Sequence, residues 1–159
     1  MSGKRSYNSN CGVAQALDQI GDGWSLRIVL EAMQGTRRFV DFQQRLGIAR
    51  NILCDRLTRL VSHEILYKAD VGKRGSRYEY RLTAKGRDLF AVILTLRQWS
   101  ERWSADSEPV VLRDRATGRP VAPVRVYDAD GQPLELRDVF LELSTNNDID
   151  TEKLRANRA

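Results

Sequence analysis

From Cys11 to Trp103 apolar side chains recur every three or four residues, broken by short glycine-containing stretches; beyond Trp103 the period gives way to brief alternating runs. The first segment, Cys11 to Ile20, puts Val13, Leu17 and Ile20 on one helical face and stops at Gly21-Asp22-Gly23. A second helix is expected from about Trp24 to Met33, with Trp24, Ile28, Leu30 and Met33 apolar and Gly35 at a left-handed cap position. The third, Val40 to Leu46, has Phe39, Phe42 and Leu46 at helical spacing and ends at Gly47. The fourth, from Arg50 to His63, carries Leu53, Leu57, Leu60 and Val61 in a stripe about 100° wide. Asn51, Asp55, Thr58, Arg59 and Ser62 therefore point to solvent or a ligand, while Cys54 falls beside the stripe as a small packing residue.

Leu66 to Val71 and Tyr78 to Leu82 flank a glycine-rich basic turn, the pattern of a β-hairpin. Thr83 can cap a long fifth helix whose Leu89, Val92, Ile93, Leu96, Trp99 and Trp103 alternate by three and four, a seam that either meets a partner helix or closes the protomer's own core. Short β-like runs follow at 110–112, 121–127, 134–136 and 139–143. Thr117-Gly118 and Asp130-Gly131 are turns between them, and Pro120, Pro123 and Pro133 limit the pairing. The organisation expected is a domain over 1–106, a small β-subdomain over 107–145 and a flexible tail over 146–159.

Charge changes this picture. The chain has 159 residues and a net charge of +5, but residues 1–103 hold 18 basic against 10 acidic side chains and residues 104–159 hold 8 against 11. A polyanionic partner is expected for the first part only. Two cysteines far apart make neither a disulfide framework nor a zinc site, and no metal or cofactor is expected. With no apolar run of about 20 residues and no apolar leader, a soluble cytoplasmic protein is expected, without a membrane partner. His63 is the sole histidine, and there is neither a phosphate loop nor a nucleophile–base arrangement, which argues against an enzyme.

Mainly helical elements, a fourth helix with a polar outer face and a basic hairpin are the parts of a winged helix-turn-helix. In that geometry the fourth helix enters a major groove, where Arg50 and Asn51 in its first turn, and Arg56 and Arg59 further along, can donate to bases or phosphates. Lys73, Arg74 and Arg77 at the hairpin tip would reach phosphates or a minor groove, and Arg37 and Arg38 would hold the flanking backbone. The alternative is a winged-helix protein-interaction module, which has no need of a basic recognition face.

Several motifs together are specific: the leading Cys11, Ile-Gly-x-x-Trp at Ile20 to Trp24, Gly-x-Arg-Arg-Phe at Gly35 to Phe39, Leu-x-x-Arg-Leu at Leu53 to Leu57, and Tyr-Glu-Tyr-x-Leu-Thr-x-Lys-Gly ending at Gly86. Over roughly Cys11 to Trp103 the chain resembles the HxlR family of bacterial transcriptional regulators, relatives of the MarR group. The resemblance implies a homodimer joined through the first and last helices, by Val13, Leu17, Leu89, Ile93, Leu96, Trp99 and Trp103, on a pseudo-palindromic operator. Expected partners are double-stranded DNA, a second copy of the chain and a small-molecule effector. Where many members place a serine at the recognition-helix cap, this chain has Ala49. The resemblance also suggests Cys11 as a redox sensor, since a helix N-terminus favours a thiolate; burial by Val13 or Leu17 would instead leave it inert. Some longer members carry a zinc-ribbon-like tail, of which this chain keeps the turn glycines but no cysteine.

Overall fold

The computed structural model describes residues 11–72, 78–104 and 111–141. Its order is α1 (Gly12–Ile20), α2 (Ser25–Met33), α3 (Phe39–Leu46), α4 (Arg50–Ser62), β1 (Leu66–Asp70), β2 (Tyr78–Leu82) and α5 (Ala84–Trp103), followed by β3 (Val126–Tyr127), β4 (Pro133–Leu134) and a 3₁₀ turn at Leu136–Asp138. The chain forms two compact units, Met1–Leu94 and Thr95–Ala159. The expected boundary at 106/107 and the tail at 146–159 lie outside the described residues.

In the first unit, local chemistry fixes the start of α2 and the ends of α3 and α4. The Asp22 carboxylate accepts hydrogen bonds from the backbone N–H of Trp24 at 2.9 Å and of Ser25 at 3.0 Å, and from the Ser25 hydroxyl. It thereby satisfies donors that the start of α2 leaves open, and it accounts for a serine that is only 1% exposed. Gly47 ends α3 in the left-handed region, at φ 60°, and turns the chain into α4. At the end of α4 the same conformation falls to Glu64, φ 57°, while Ile65 N–H donates to the Leu60 carbonyl at 2.9 Å. This is a Schellman-type stop in which a glycine would be less strained.

Ile28 and Val29 of α2, Phe42 of α3, Leu53, Leu57 and Leu60 of α4, and Ile65 and Leu66 leading into β1 are almost completely removed from solvent. They form one cluster, against which Tyr80, Leu82, Leu89 and Ile93 pack. The hairpin is antiparallel, pairing Leu66 with Leu82, Lys68 with Tyr80 and Asp70 with Tyr78. Tyr80 fastens it to the helices: its ring meets Phe42 edge-on at 6.4 Å and its N–H donates to the Arg37 carbonyl at 2.8 Å. Thr83 caps α5 as expected, its hydroxyl accepting from Gly86 N–H at 3.0 Å. Gly86 is buried so closely against Ile65 that any Cβ there would collide with the Ile65 carbonyl.

The second unit is built differently. Its part of α5 holds a loop through Gln98, which accepts from Val124 N–H at 2.8 Å and donates to the Ala122 carbonyl at 3.4 Å. An isolated bridge joins Arg113 to Pro120, and two residue pairs join β3 to β4.

Several elements differ from the sequence expectation. Trp24 stands just before α2, at its N-cap position and with no side-chain capping bond of its own, instead of beginning the helix, and α3 starts one residue early, at Phe39. Cys54 is exposed, because Leu53, Leu57 and Leu60 alone fill the buried stripe of α4 and a residue about 100° away lies outside it. Among the described residues of the strands expected beyond Trp103, only Val126–Tyr127 and Pro133–Leu134 pair, Leu136 lies in the 3₁₀ turn, and 139–141 form no strand. Prolines remove ladder donors there, and no described residue of 111–141 is buried enough to fix a register.

Candidate nucleic-acid interface

The outer face of α4 is aimed by its inner one. With Leu53, Leu57 and Leu60 locked in the core, a step of about 100° per residue turns Asn51, Asp55, Thr58 and Ser62 directly outward. All four are exposed. The helix begins at Ala49 without a side-chain cap, so its first N–H groups remain open to an anion. Arg50 is exposed beside them, its guanidinium 5.4 Å from the centre of the Phe39 ring.

The structure separates the arginines that helical spacing had grouped. Arg56 is folded back: its Nε lies 3.2 Å from Asp22 Oδ1, and its Nη1 donates to Asp55 Oδ2 at 3.1 Å. The Nε is buried and close to Asp22 without the alignment of a hydrogen bond, so the link is an ion pair. Arg59 likewise turns toward α1, donating to the Asp18 carbonyl at 3.1 Å. Both side chains tie α4 to the elements behind it. Burial alone would raise the Asp22 carboxyl, but the Ser25 hydroxyl, the Trp24 N–H, the Arg56 charge and the Ser25 N–H together hold it below the usual carboxylate value.

In the turn before α3, Arg37 and Arg38 are exposed, with Arg37 3.9 Å from the Glu79 carboxylate on β2. Arg81 shares that carboxylate at 2.9 Å. The hairpin tip with Lys73, Arg74 and Arg77 lies outside the described residues.

The residues expected at a dimer seam also divide. Val13 and Leu17 on α1 are 68% and 48% exposed, and Leu96, Trp99 and Trp103 on α5 are 47%, 64% and 72% exposed. Leu89 and Ile93 instead pack against the core of their own protomer. Leu94, which is not among the expected seam positions, is the buried residue of this helix's middle. Cys11 sits at the N-cap of α1, exposed. The backbone N–H of Ala14, and then that of Val13, lower its thiol below the ordinary value without closing a cap hydrogen bond.

Asp22 is the functional-site neighbour that helical periodicity missed. Its signal was available: an aspartate three residues before the first buried position of a helix is a capping pattern.

A helix-turn-helix whose second helix carries an exposed polar face, with a hairpin beside it, defines the winged helix-turn-helix class of transcription factors. Within that class the chain belongs to the HxlR family, whose HxlR-like helix-turn-helix description matches residues 19–108. It is 36% identical over 132 residues to the uncharacterised HTH-type transcriptional regulator Rv3095 of Mycobacterium tuberculosis, covering 82% of this chain and 84% of that protein. The crystal structure of PA1607, a proposed transcription factor, superposes with a TM-score of 0.80 at 42% identity over 86% of this chain and 97% of that one. The redox regulator HypR in its oxidised form is similar at a TM-score of 0.54 and 27% identity, with all of its chain matched by 63% of this one. The protein is a transcriptional regulator with a helix-turn-helix domain, and among the described residues no helix is long and apolar enough to cross a membrane.

Proposed function

We propose that this regulator binds a pseudo-palindromic operator in double-stranded DNA as a homodimer in the cytoplasm, reading bases with α4. The observation that carries the reading is the exposed first turn of α4, where Arg50 and Asn51 flank uncapped backbone N–H groups above a helix locked into the core. Arg37 and Arg38 lie in the turn before α3 and contact phosphates, as do Lys73, Arg74 and Arg77 of the hairpin. Arg56 and Arg59 support α4 from behind, and their contribution to DNA is through its placement.

The homodimer is supported by exposed apolar side chains on α1 and on α5. Two tryptophans more than 60% exposed within four residues of one another are costly in water and suit a second copy of the chain. Cys11, exposed and with its thiolate favoured, is the candidate at which an oxidant or electrophile would act on that dimer, and a redox regulator stands among the structural neighbours.

The experiment is to measure binding to operator DNA as a function of salt for the parent protein and for Arg50→Ala, Asn51→Ala and Arg38→Ala. Arg50→Ala or Asn51→Ala relaxes preference at one position per half-site, by roughly 1–3 kcal/mol. Arg38→Ala weakens all sequences alike and reduces the salt slope by about one unit. A parent protein with no salt dependence, or a monomer by light scattering at micromolar concentration that protects a single half-site, contradicts the proposal.

A further inference from the structure

We infer that Asp55 is a specificity-determining residue, the acceptor by which α4 selects a cytosine, through its exocyclic amine, at one position of each operator half-site. The inference rests on α4 being the groove-reading helix. It goes beyond that reading, because the positive charges that draw the protein to DNA give no place to a carboxylate.

The four side chains at the centre of the outward face are not equivalent. Thr58 donates its hydroxyl to the Cys54 carbonyl at 2.8 Å, and Ser62 donates its own to the Arg59 carbonyl at 2.9 Å, so both hydroxyl protons are spent on the helix itself. Asn51 and Asp55 remain, four residues apart and therefore stacked on one face. Asp55 is 61% exposed. Its Oδ2 accepts from Arg56 Nη1 at 3.1 Å, while Arg56 is itself pinned by the ion pair to Asp22, leaving Oδ1 with no protein partner among the described residues.

A carboxylate in this place has a narrow choice of ligand on DNA. It repels phosphate, so it does not serve as a backbone contact. On the major-groove edge, cytosine offers N4 as a donor with no acceptor of its own beside it; adenine also offers an amine, N6, but next to the N7 lone pair, which repels a carboxylate, and guanine offers only acceptors. The outward stripe is short (Asn, Asp, Thr, Ser), which lets the helix approach the groove floor closely enough for so short a side chain to reach a base. Asp55 therefore lowers affinity for DNA in general and restores it only where a cytosine amine meets it.

The test is selection of bound fragments from random-sequence duplex DNA by the full-length parent protein, Asp55→Ala and the isosteric Asp55→Asn, with circular dichroism to verify folding. The parent is expected to enrich cytosine at one position of each half-site, with a discrimination of roughly 5- to 10-fold over other bases, the low end for a base contact because N4 offers the carboxylate a single free proton. Asp55→Ala loses that one preference and keeps the rest. Asp55→Asn moves it toward adenine, which an amide can pair in both directions. Unchanged preferences in both variants, or a rise in affinity spread evenly over all sequences, overturns the inference and leaves Asp55 as a general repulsive charge, while the parent's own operator still stands. A parent that enriches no sequence overturns the DNA-reading assignment itself, and this inference with it.

Discussion

Twelve apolar residues are buried among the described part of this chain, and all lie between Ile20 and Leu94. In the second unit, residues 111–141 contain none; Phe140 is 83% exposed and Leu141 is fully so. The first unit rests on its own hydrophobic burial, and its polar outer faces are consequences of that inner packing. The second rests on local turns: Asp114 accepts from Ala116 N–H at 2.8 Å and from the Thr117 hydroxyl at 3.0 Å, and Asp128 accepts from Asp130 N–H at 3.0 Å and Gln132 N–H at 2.7 Å. Each such bond contributes about 1 kcal/mol net, so the turns stabilise this segment far less than burial stabilises the first unit. Position in one unit or the other therefore decides what a substitution does.

The largest effect is expected where the first unit is tightest. Leu57→Ala leaves a cavity at a fully buried position and should cost about 2–5 kcal/mol in denaturant unfolding, a large part of the stability of a small domain. Gly86→Ala drives a methyl into the Ile65 carbonyl and should shift the unfolding midpoint in the same direction. A loss below about 1 kcal/mol at Leu57 would mean that the first unit is not the stable one.

Asp22→Ala removes the cap of α2 and the counter-ion of a half-buried arginine together, and about 1–3 kcal/mol should be lost. The same carboxylate makes stability pH-dependent. Its folded-state pKa is depressed, so its contribution is complete above the unfolded value of about 4 and is lost as pH falls from there through the lowered folded value. Asp22→Asn keeps the capping oxygen but should flatten that acid limb in a pH series of thermal melts.

Legibility from sequence follows the same division. The hairpin was readable because its turn glycines and alternating tyrosines are local signals, and Thr83 and Gly47 were readable as cap and stop for the same reason. The inner stripe of α4 was readable because three leucines share one phase. What a wheel does not carry is the partner behind the helix. Arg56 and Arg59 lie at polar angles, yet reach Asp22 and the Asp18 carbonyl, contacts 34 and 41 residues away in sequence. Beyond Trp103, the expected strands shrink among the described residues to the two-residue pairing of β3 with β4, because propensity without burial does not hold a longer register.

Glu64→Gly should be stabilising by roughly 0.5–1 kcal/mol, since it relieves a non-glycine residue in the left-handed region at an exposed position. Val126→Ala, on a two-residue strand at a side chain 65% exposed, should change global stability by less than about 0.5 kcal/mol. A cost at Val126 comparable with that at Leu57 would erase the contrast between the units.

Whether α4 reads DNA in a two-fold assembly is decided by the sequences that the full-length protein enriches from random duplex DNA. An inverted repeat is expected whose half-sites are centred about one helical turn apart, ~34 Å or a small multiple of it, with specific positions lost in Asn51→Ala. Binding that enriches no sequence, or a single half-site without its inverted partner, would contradict it.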